Sequence, residues 1–203
     1  MKHTRALSLA LLLAAGTFAL PVACVDSTAP RAVPEAGADA LLGLPIGIGV
    51  DVGRVVDTTV TTLRRVLPLS SDITRSATFG FDGGTLSIPE AGFTLTVPRG
   101  AFYTPTTITV TAIQGSTVAY EFAPHGLKPN KKLIFSQELG STLGLGLLGS
   151  FYKGAYFESR SEIDEVSGTA FVHEIIGTIF DPLAIRFPIS HFSGYLVAVG
   201  YEE

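Results

Sequence analysis

Cysteine and tryptophan are nearly absent from this chain of 203 residues, which has one cysteine and no tryptophan. A single cysteine excludes an intramolecular disulfide and a cysteine-rich zinc site. Charged residues are also scarce, at 16% of the chain against roughly 25% in an average soluble domain. Because the formal net charge is −4, a nucleic-acid binder that relies on a basic surface is excluded as well.

Glycine and proline are abundant, with 22 and 12 residues, and 46% of the chain is hydrophobic. This composition excludes a coiled coil, which is dense in charge and poor in glycine. The apolar content also excludes a fully disordered chain. The length is that of one domain with additional terminal segments.

Residues 1–23 have the layout of a bacterial secretory signal peptide. Lys2 and Arg5 form a positively charged start, and residues 6–20 form an apolar run. The run is too short for a transmembrane helix, and small residues follow it. We therefore expect an exported protein from which residues 1–23 are removed.

Cys24 follows directly after this segment. The stretch Leu20-Pro21-Val22-Ala23-Cys24 resembles the lipobox of bacterial lipoproteins, in which the cysteine is diacylated and becomes the new N-terminus. Ala23 and Cys24 fit that pattern, whereas Pro21 stands where leucine is usual. The resemblance implies a lipid anchor on Cys24. The alternative is an ordinary cleaved signal and a secreted or periplasmic soluble protein with a free thiol.

Residues 24–75 are predicted to be a tether. Its first part is rich in proline, alanine and acidic residues, without any apolar period. Further on, the spacing of the apolar residues predicts a short amphipathic helix over 50–66. The β-branched run Val-Val-Asp-Thr-Thr-Val-Thr-Thr within it disfavours a helix. The apolar face of this helix would cover the following domain, a partner protein or a lipid surface.

From residue 76 onward the apolar residues alternate with polar ones, in short runs separated by turn residues. Clear examples are Leu86 and Ile88, then Ile108 and Val110 with threonines between them. Many short alternating strands at intervals of roughly ten residues are typical of an antiparallel β-sandwich or barrel. The glycine- and leucine-rich segment 140–154 interrupts the pattern, and we interpret it as an insert packed against the sandwich or, alternatively, a mobile binding loop.

The segment GGTLSIPEAGFTLTVPRGAF, residues 83–102, resembles the start of a ZU5 domain. That family begins with Gly-Gly, two short strands and Val-Pro-x-Gly-Ala. The matching residues here are Gly83, Gly84, Val97, Pro98, Gly100 and Ala101. The glycines permit a positive φ in tight turns, and Pro98 presets the turn that Gly100 completes.

Three later segments extend this resemblance in the family's order: TTITVTAI, VAYEFAPHGLKPNKKLIFS and the closing ISHFSGYLVAVG. The resemblance covers about 76–200, although nothing in 137–175 matches a family motif. It implies that 76–203 is a ZU5-like β-sandwich that serves protein–protein contact or structural packing. It implies no cofactor and no enzymatic activity.

The tripeptide His191-Phe192-Ser193 suggests an alternative function. Some eukaryotic ZU5-containing proteins with death domains cut themselves between phenylalanine and serine in this tripeptide. There the serine hydroxyl attacks the preceding carbonyl and a nearby histidine serves as base. The resemblance thus gives a self-processing module with His191 and Ser193 as the alternative catalytic residues. A ligand- or carbohydrate-binding sandwich is a third possibility, and it requires an exposed aromatic cluster.

The remaining polar residues predict no metal site. His125 lies in a Pro-His-Gly turn without a ligand nearby in sequence and is interpreted as a turn or rim residue. His173 is interpreted as a strand-surface or interface residue. Glu162, Asp164 and Glu165 could hold Ca²⁺ only with additional oxygen ligands, so we interpret them as a solvated turn. We expect a non-enzymatic, lipid-anchored envelope protein whose partner is another envelope or extracellular protein, with no metal, cofactor or nucleic acid.

Overall fold

The computed structural model describes residues 53–143 and 152–200, most of which lie in antiparallel strands. The strands form packed sheets, which confirms the predicted β-sandwich class. The predicted signal peptide, Cys24 and the first part of the tether lie outside the described residues. So does most of the glycine- and leucine-rich insert, residues 144–151.

Fifteen strands and two short 3₁₀ turns make up the described part of the chain. The strands are β1 (Arg54–Thr62), β2 (Arg64–Leu69), β3 (Ile73–Phe79), β4 (Gly84–Ile88), β5 (Phe93–Val97), β6 (Thr106–Ala112), β7 (Gly115–Thr117), β8 (Ala119–Ala123), β9 (Leu133–Glu138), β10 (Tyr152–Phe157), β11 (Ile163–Asp164), β12 (Thr169–Ile176), β13 (Ile179–Asp181), β14 (Ala184–Ile189) and β15 (Gly194–Val199). The 3₁₀ turns are Pro89–Ala91 and Arg160–Glu162.

Two large sheets face each other. The first has the order β1-β12-β10-β15-β8-β6-β3, with β11 beside β12, and the second has the order β13-β14-β9-β5-β4. Strands β2 and β7 pair separately. Because β1 pairs with β15 as well as with β12, the strands β1, β12, β10 and β15 close into a ring at one end of the first sheet.

The sandwich has two apolar cores. The larger one is aromatic: the rings of Phe135 and Phe187 stack with centroids 4.2 Å apart, and Phe93 stacks on Tyr120 at 4.4 Å. The smaller core is built from the other face of the ring strands and includes Phe157, together with small and β-branched residues. Alternate side chains of β10 and β15 thus enter different cores, so these two strands have few exposed positions.

The predicted helix over 50–66 is wrong, because the described part of this segment forms β1 and the first half of β2. The residues of its supposed apolar face do not share an environment: Val55 is 77% exposed and Leu67 is 80% exposed, whereas Leu63 is buried. Local β propensity and pairing with β12 and β15 therefore outweigh the helical spacing. The boundary predicted at residue 76 falls inside β3.

Candidate functional site

Four loops meet at one end of the sandwich, which we call the loop end. They are residues 80–83, 98–105, 124–132 and 190–193. Backbone hydrogen bonds join them: Gly100 N donates to Phe81 O (2.6 Å), and Asn130 N donates to Ala101 O (2.9 Å). Gly126 N donates to Phe192 O (2.9 Å) and connects the third loop to the fourth.

The Gly-Gly and Pro-x-Gly residues of segment 83–102 shape this end. Gly83 has φ +72° and Gly84 has φ +147°, and a Cβ atom at Gly83 would overlap the carbonyl oxygen of Val97. Gly100 has φ +79°, and Pro98 O accepts a hydrogen bond from Ala101 N (3.1 Å). The motif residues are therefore turn formers, because their backbone conformations and close approaches exclude most side chains.

Ser193 contacts His125 instead of the neighbouring His191. Its hydroxyl oxygen lies 3.1 Å from His125 Nε2 and 3.5 Å from the carbonyl oxygen of Phe157. Ser193 is only 2% exposed, whereas His125 is exposed. The sequence interpretation of His125 as a turn or rim residue missed this pair, because only the fold brings the 124–132 loop next to the 190–193 loop.

The carbonyl that Ser193 would attack also has a hydrogen-bond donor. Phe192 O accepts a hydrogen bond from Gly126 N, and both residues flanking the bond are buried. A nucleophile, a base and a donor on the carbonyl are the parts that an N-to-O acyl shift requires. In the described part of the chain, however, Asp57 is the only non-glycine residue with a positive φ, so no left-handed strain marks Phe192 or Ser193.

His191 contacts a different set of residues from Ser193. Its Nε2 lies 3.4 Å from Glu174 Oε2, and the hydroxyl of Tyr195 donates to its backbone carbonyl (2.8 Å). Burial, reinforced by the charge of Glu174, raises the pKa of Tyr195 well above its usual value. His191 is thus fixed beside Tyr195 and Glu174, and the structure gives it no contact with the Ser193 hydroxyl among the described side chains.

His173 lies between two carboxylates. Nδ1 is 2.8 Å from Asp57 Oδ1 and Nε2 is 3.0 Å from Glu162 Oε1. A neutral imidazole has one N–H, so both hydrogen bonds form at once only when the ring is protonated. The bond to Glu162, followed by the bond to Asp57, raises the pKa of His173.

The acidic residues considered for Ca²⁺ do not converge. Asp164 accepts hydrogen bonds from Val166 N and Ser167 N, while Glu165 accepts from the backbone amides of Ser116 and Thr117 on β7. Glu162 bonds to His173 and caps its own 3₁₀ turn. The three carboxylates therefore bind different parts of the fold, two of them turns and one the backbone of β7, and do not share a cation site.

Strand β3 lies at one edge of the first sheet, as far as the described residues extend. Among residues 53–143 and 152–200, β6 is the only strand that pairs with β3. The pairing runs without a bulge from Ile73, opposite Ala112, to Phe79, opposite Thr106. Three cross-strand hydroxyl pairs line its solvent-facing side, for example Thr78 and Thr107 at 2.8 Å.

No known family model matches this chain, and no curated protein matches its sequence. Nothing in residues 53–143 and 152–200 has both the helical length and the hydropathy of a membrane-spanning helix.

Proposed function

We propose that this chain is a non-enzymatic protein of the cell envelope whose ZU5-like β-sandwich binds another protein by strand addition at β3. The proposal includes export by the signal peptide 1–23 and a lipid anchor on Cys24. The anchor would hold the protein at the membrane, and the described sandwich would present β3 to its partner.

The observation that carries this proposal is the edge of β3, which β6 alone pairs among the described strands. Its sequence, ITRSATF, has no proline or lysine and one charged residue, Arg75, and its pairing with β6 has no bulge. Soluble proteins usually protect such edges with proline, bulges or charged side chains, lysine above all, because the unpaired backbone groups are a template for another strand. An edge of seven residues is long enough for a partner strand to add main-chain hydrogen bonds.

The decisive experiment compares two lysine substitutions in one cross-strand pair. Thr78→Lys places a charge on the edge strand, while Thr107→Lys places it on β6, one strand further in. Each substitution removes one hydroxyl of the same hydrogen-bonded pair, so the two should disturb the sheet to a similar extent. Only Thr78→Lys places the new charge on the strand that a partner strand would pair with.

The two variants and the unsubstituted full chain are used to capture partners from an envelope extract. We expect a partner that the unsubstituted chain and Thr107→Lys retain and that Thr78→Lys loses. Recovery of no reproducible partner, or equal recovery by all three chains, would contradict strand addition at β3.

The second candidate function is self-processing between Phe192 and Ser193, and the contact between Ser193 and His125 favours it. In this reaction Ser193 Oγ attacks the Phe192 carbonyl carbon and gives its proton to His125 Nε2. The peptide C–N bond breaks, the nitrogen of Ser193 takes a proton, and water hydrolyses the resulting ester. The burial of both residues and their unstrained φ angles make this the weaker candidate.

A further inference from the structure

An exposed pair of aromatic rings lies at the loop end, beyond the C-terminal end of the strand β3 that the proposed function uses. Phe81 is 44% exposed and Tyr103 is 71% exposed. Their ring centroids are 5.8 Å apart with an interplanar angle of 28°, so the two rings stack in solvent. Two large rings that remain together in water, outside either core, are a feature that binding a ligand would explain.

Two cations accompany these rings. The guanidinium carbon of Arg99 is 5.0 Å from the centroid of Phe81, and Arg99 Nε is 3.8 Å from Asp82 Oδ1. Lys131 Nζ and the ring of Phe81 both come within 3.7 Å of the position that a Cβ atom would take at Gly100. Arg99 and Lys131 therefore lie on the same small surface as the aromatic pair.

The surface is built before any ligand arrives. Gly100 N donates to Phe81 O, and Asn130 donates to Ala101 O through both its backbone amide (2.9 Å) and its side-chain nitrogen (3.2 Å). These bonds hold the loops that carry Phe81, Tyr103 and Lys131 against one another. A preorganised surface loses less conformational entropy when it binds.

The charge of the four loops is opposite to that of the chain. They contain four cations, Arg99, Lys128, Lys131 and Lys132, and one acid, Asp82, in a chain with a formal net charge of −4. This local excess of positive charge attracts an anionic ligand. A planar guanidinium beside the rings is suited to a carboxylate, which it can bind through two parallel hydrogen bonds.

We infer that the loop end binds an acidic polysaccharide whose sugar rings carry carboxylates. A uronic acid unit combines an apolar ring face, which stacks on Tyr103, the more exposed ring of the pair, with one carboxylate for Arg99 or Lys131. The surface combines one short aromatic stack with two adjacent cations. A polymer of uronic acids correspondingly carries one negative charge on each sugar ring. An extended track of cations, which a nucleic-acid strand would need, is absent from the described loops.

The test measures binding of hexagalacturonate to the full chain, with maltohexaose, hexaglutamate and a single-stranded oligothymidine as comparison probes. We expect saturable binding of hexagalacturonate that weakens as salt is added, and weaker binding of the other three. Tyr103→Ala should weaken the binding about tenfold, while Tyr103→Phe retains the ring and should leave it nearly unchanged. Arg99→Gln should weaken the binding and reduce its dependence on salt.

The control variant is Leu67→Ala, which removes an exposed apolar side chain from β2, outside the four loops, and should leave binding unchanged. The three substituted positions are all exposed, and circular dichroism checks that each variant is folded. The inference is overturned if hexagalacturonate does not bind, or if Tyr103→Ala binds it as well as the unsubstituted chain. Tighter binding of hexaglutamate or oligothymidine would overturn it in favour of an acidic peptide or a nucleic acid.

Discussion

Ser193 Oγ lies 3.1 Å from His125 Nε2, although 68 positions separate the two residues in the chain. The contact forms because the loop after β8 and the loop before β15 meet at the same end of the sandwich. The tripeptide His191-Phe192-Ser193 suggested that His191 would be the base. Its side chain contacts Glu174 and Tyr195 instead, so the base available to Ser193 is His125.

We predict that the peptide bond between Phe192 and Ser193 stays intact. The hydroxyl of Ser193 has a carbonyl acceptor as well as His125, and the residues on both sides of the bond are buried from the water that hydrolysis needs. Intact mass spectrometry after denaturation should show the uncleaved chain. Loss of residues 193–203 that is abolished in both Ser193→Ala and His125→Ala would establish self-processing, whereas loss abolished only in Ser193→Ala would leave His125 without a role.

The sequence predicted the strands of the sandwich well where one face of a strand is buried. Leu86, Ile88, Ile108 and Val110 alternate with polar residues, and all four are buried as the pattern requires. It failed at β1 and β2, because the pairing partners of β1 are β12 and β15, more than a hundred residues away. Spacing along the chain carries no information about such partners, and the contact between His125 and Ser193 was missed for the same reason.

Truncation tests the part of the fold that the sequence pattern missed. A chain of 53–203 should be soluble and cooperatively folded, whereas a chain of 76–203 should aggregate. The shorter chain lacks β1, β2 and the start of β3, and with them the buried side chains of Val60 and Leu63. Burial of each such side chain contributes about 2 kcal/mol. Size-exclusion chromatography and thermal unfolding compare the two, and cooperative unfolding of a soluble 76–203 would show that β1 and β2 are dispensable.

Substitution of Gly83 by alanine should destabilise the fold more than the same substitution at Gly126, a glycine with a similar backbone conformation. Gly126 has φ +76°, and no heavy atom lies within 4 Å of the position that an alanine methyl group would take there. Gly126→Ala should therefore cost about 1 kcal/mol from φ strain alone. Gly83→Ala adds an overlap with Val97 O and should cost about 3 kcal/mol or more. Urea unfolding measures both free energies, and equal losses would mean that the close approach of Val97 is unimportant.

The anchor prediction concerns Cys24, the only cysteine in the chain. If it is acylated, the mature protein should partition into the detergent phase of a membrane extract. Cys24→Ala should move the protein to the soluble fraction or leave it unprocessed. A mature N-terminus at another residue, or an unchanged distribution of Cys24→Ala, would refute the lipid anchor.

His173 should make the stability of the sandwich depend on pH. Its hydrogen bonds to Glu162 and Asp57 raise its pKa in the folded protein above the unfolded value of about 6.5. Its stabilising contribution is therefore fully present below about pH 6.5 and is lost as the pH rises through the raised pKa. Burial alone would raise the pKa of Glu162, but the bonds from His173 and two backbone amides hold it below its usual value, so Glu162 remains charged where His173 is protonated.

The measurement is the free energy of unfolding in urea between about pH 5 and about pH 9, the range in which a perturbed histidine titrates. The unsubstituted chain should be more stable than His173→Gln at the acidic end, and the difference should shrink towards the alkaline end. Asp57→Asn is the matched control, because asparagine tolerates the left-handed backbone at this position (φ +44°) while it removes one of the two carboxylates. It should retain only part of the pH dependence. A constant difference between the unsubstituted chain and His173→Gln over the whole range would mean that His173 stabilises the fold without being protonated.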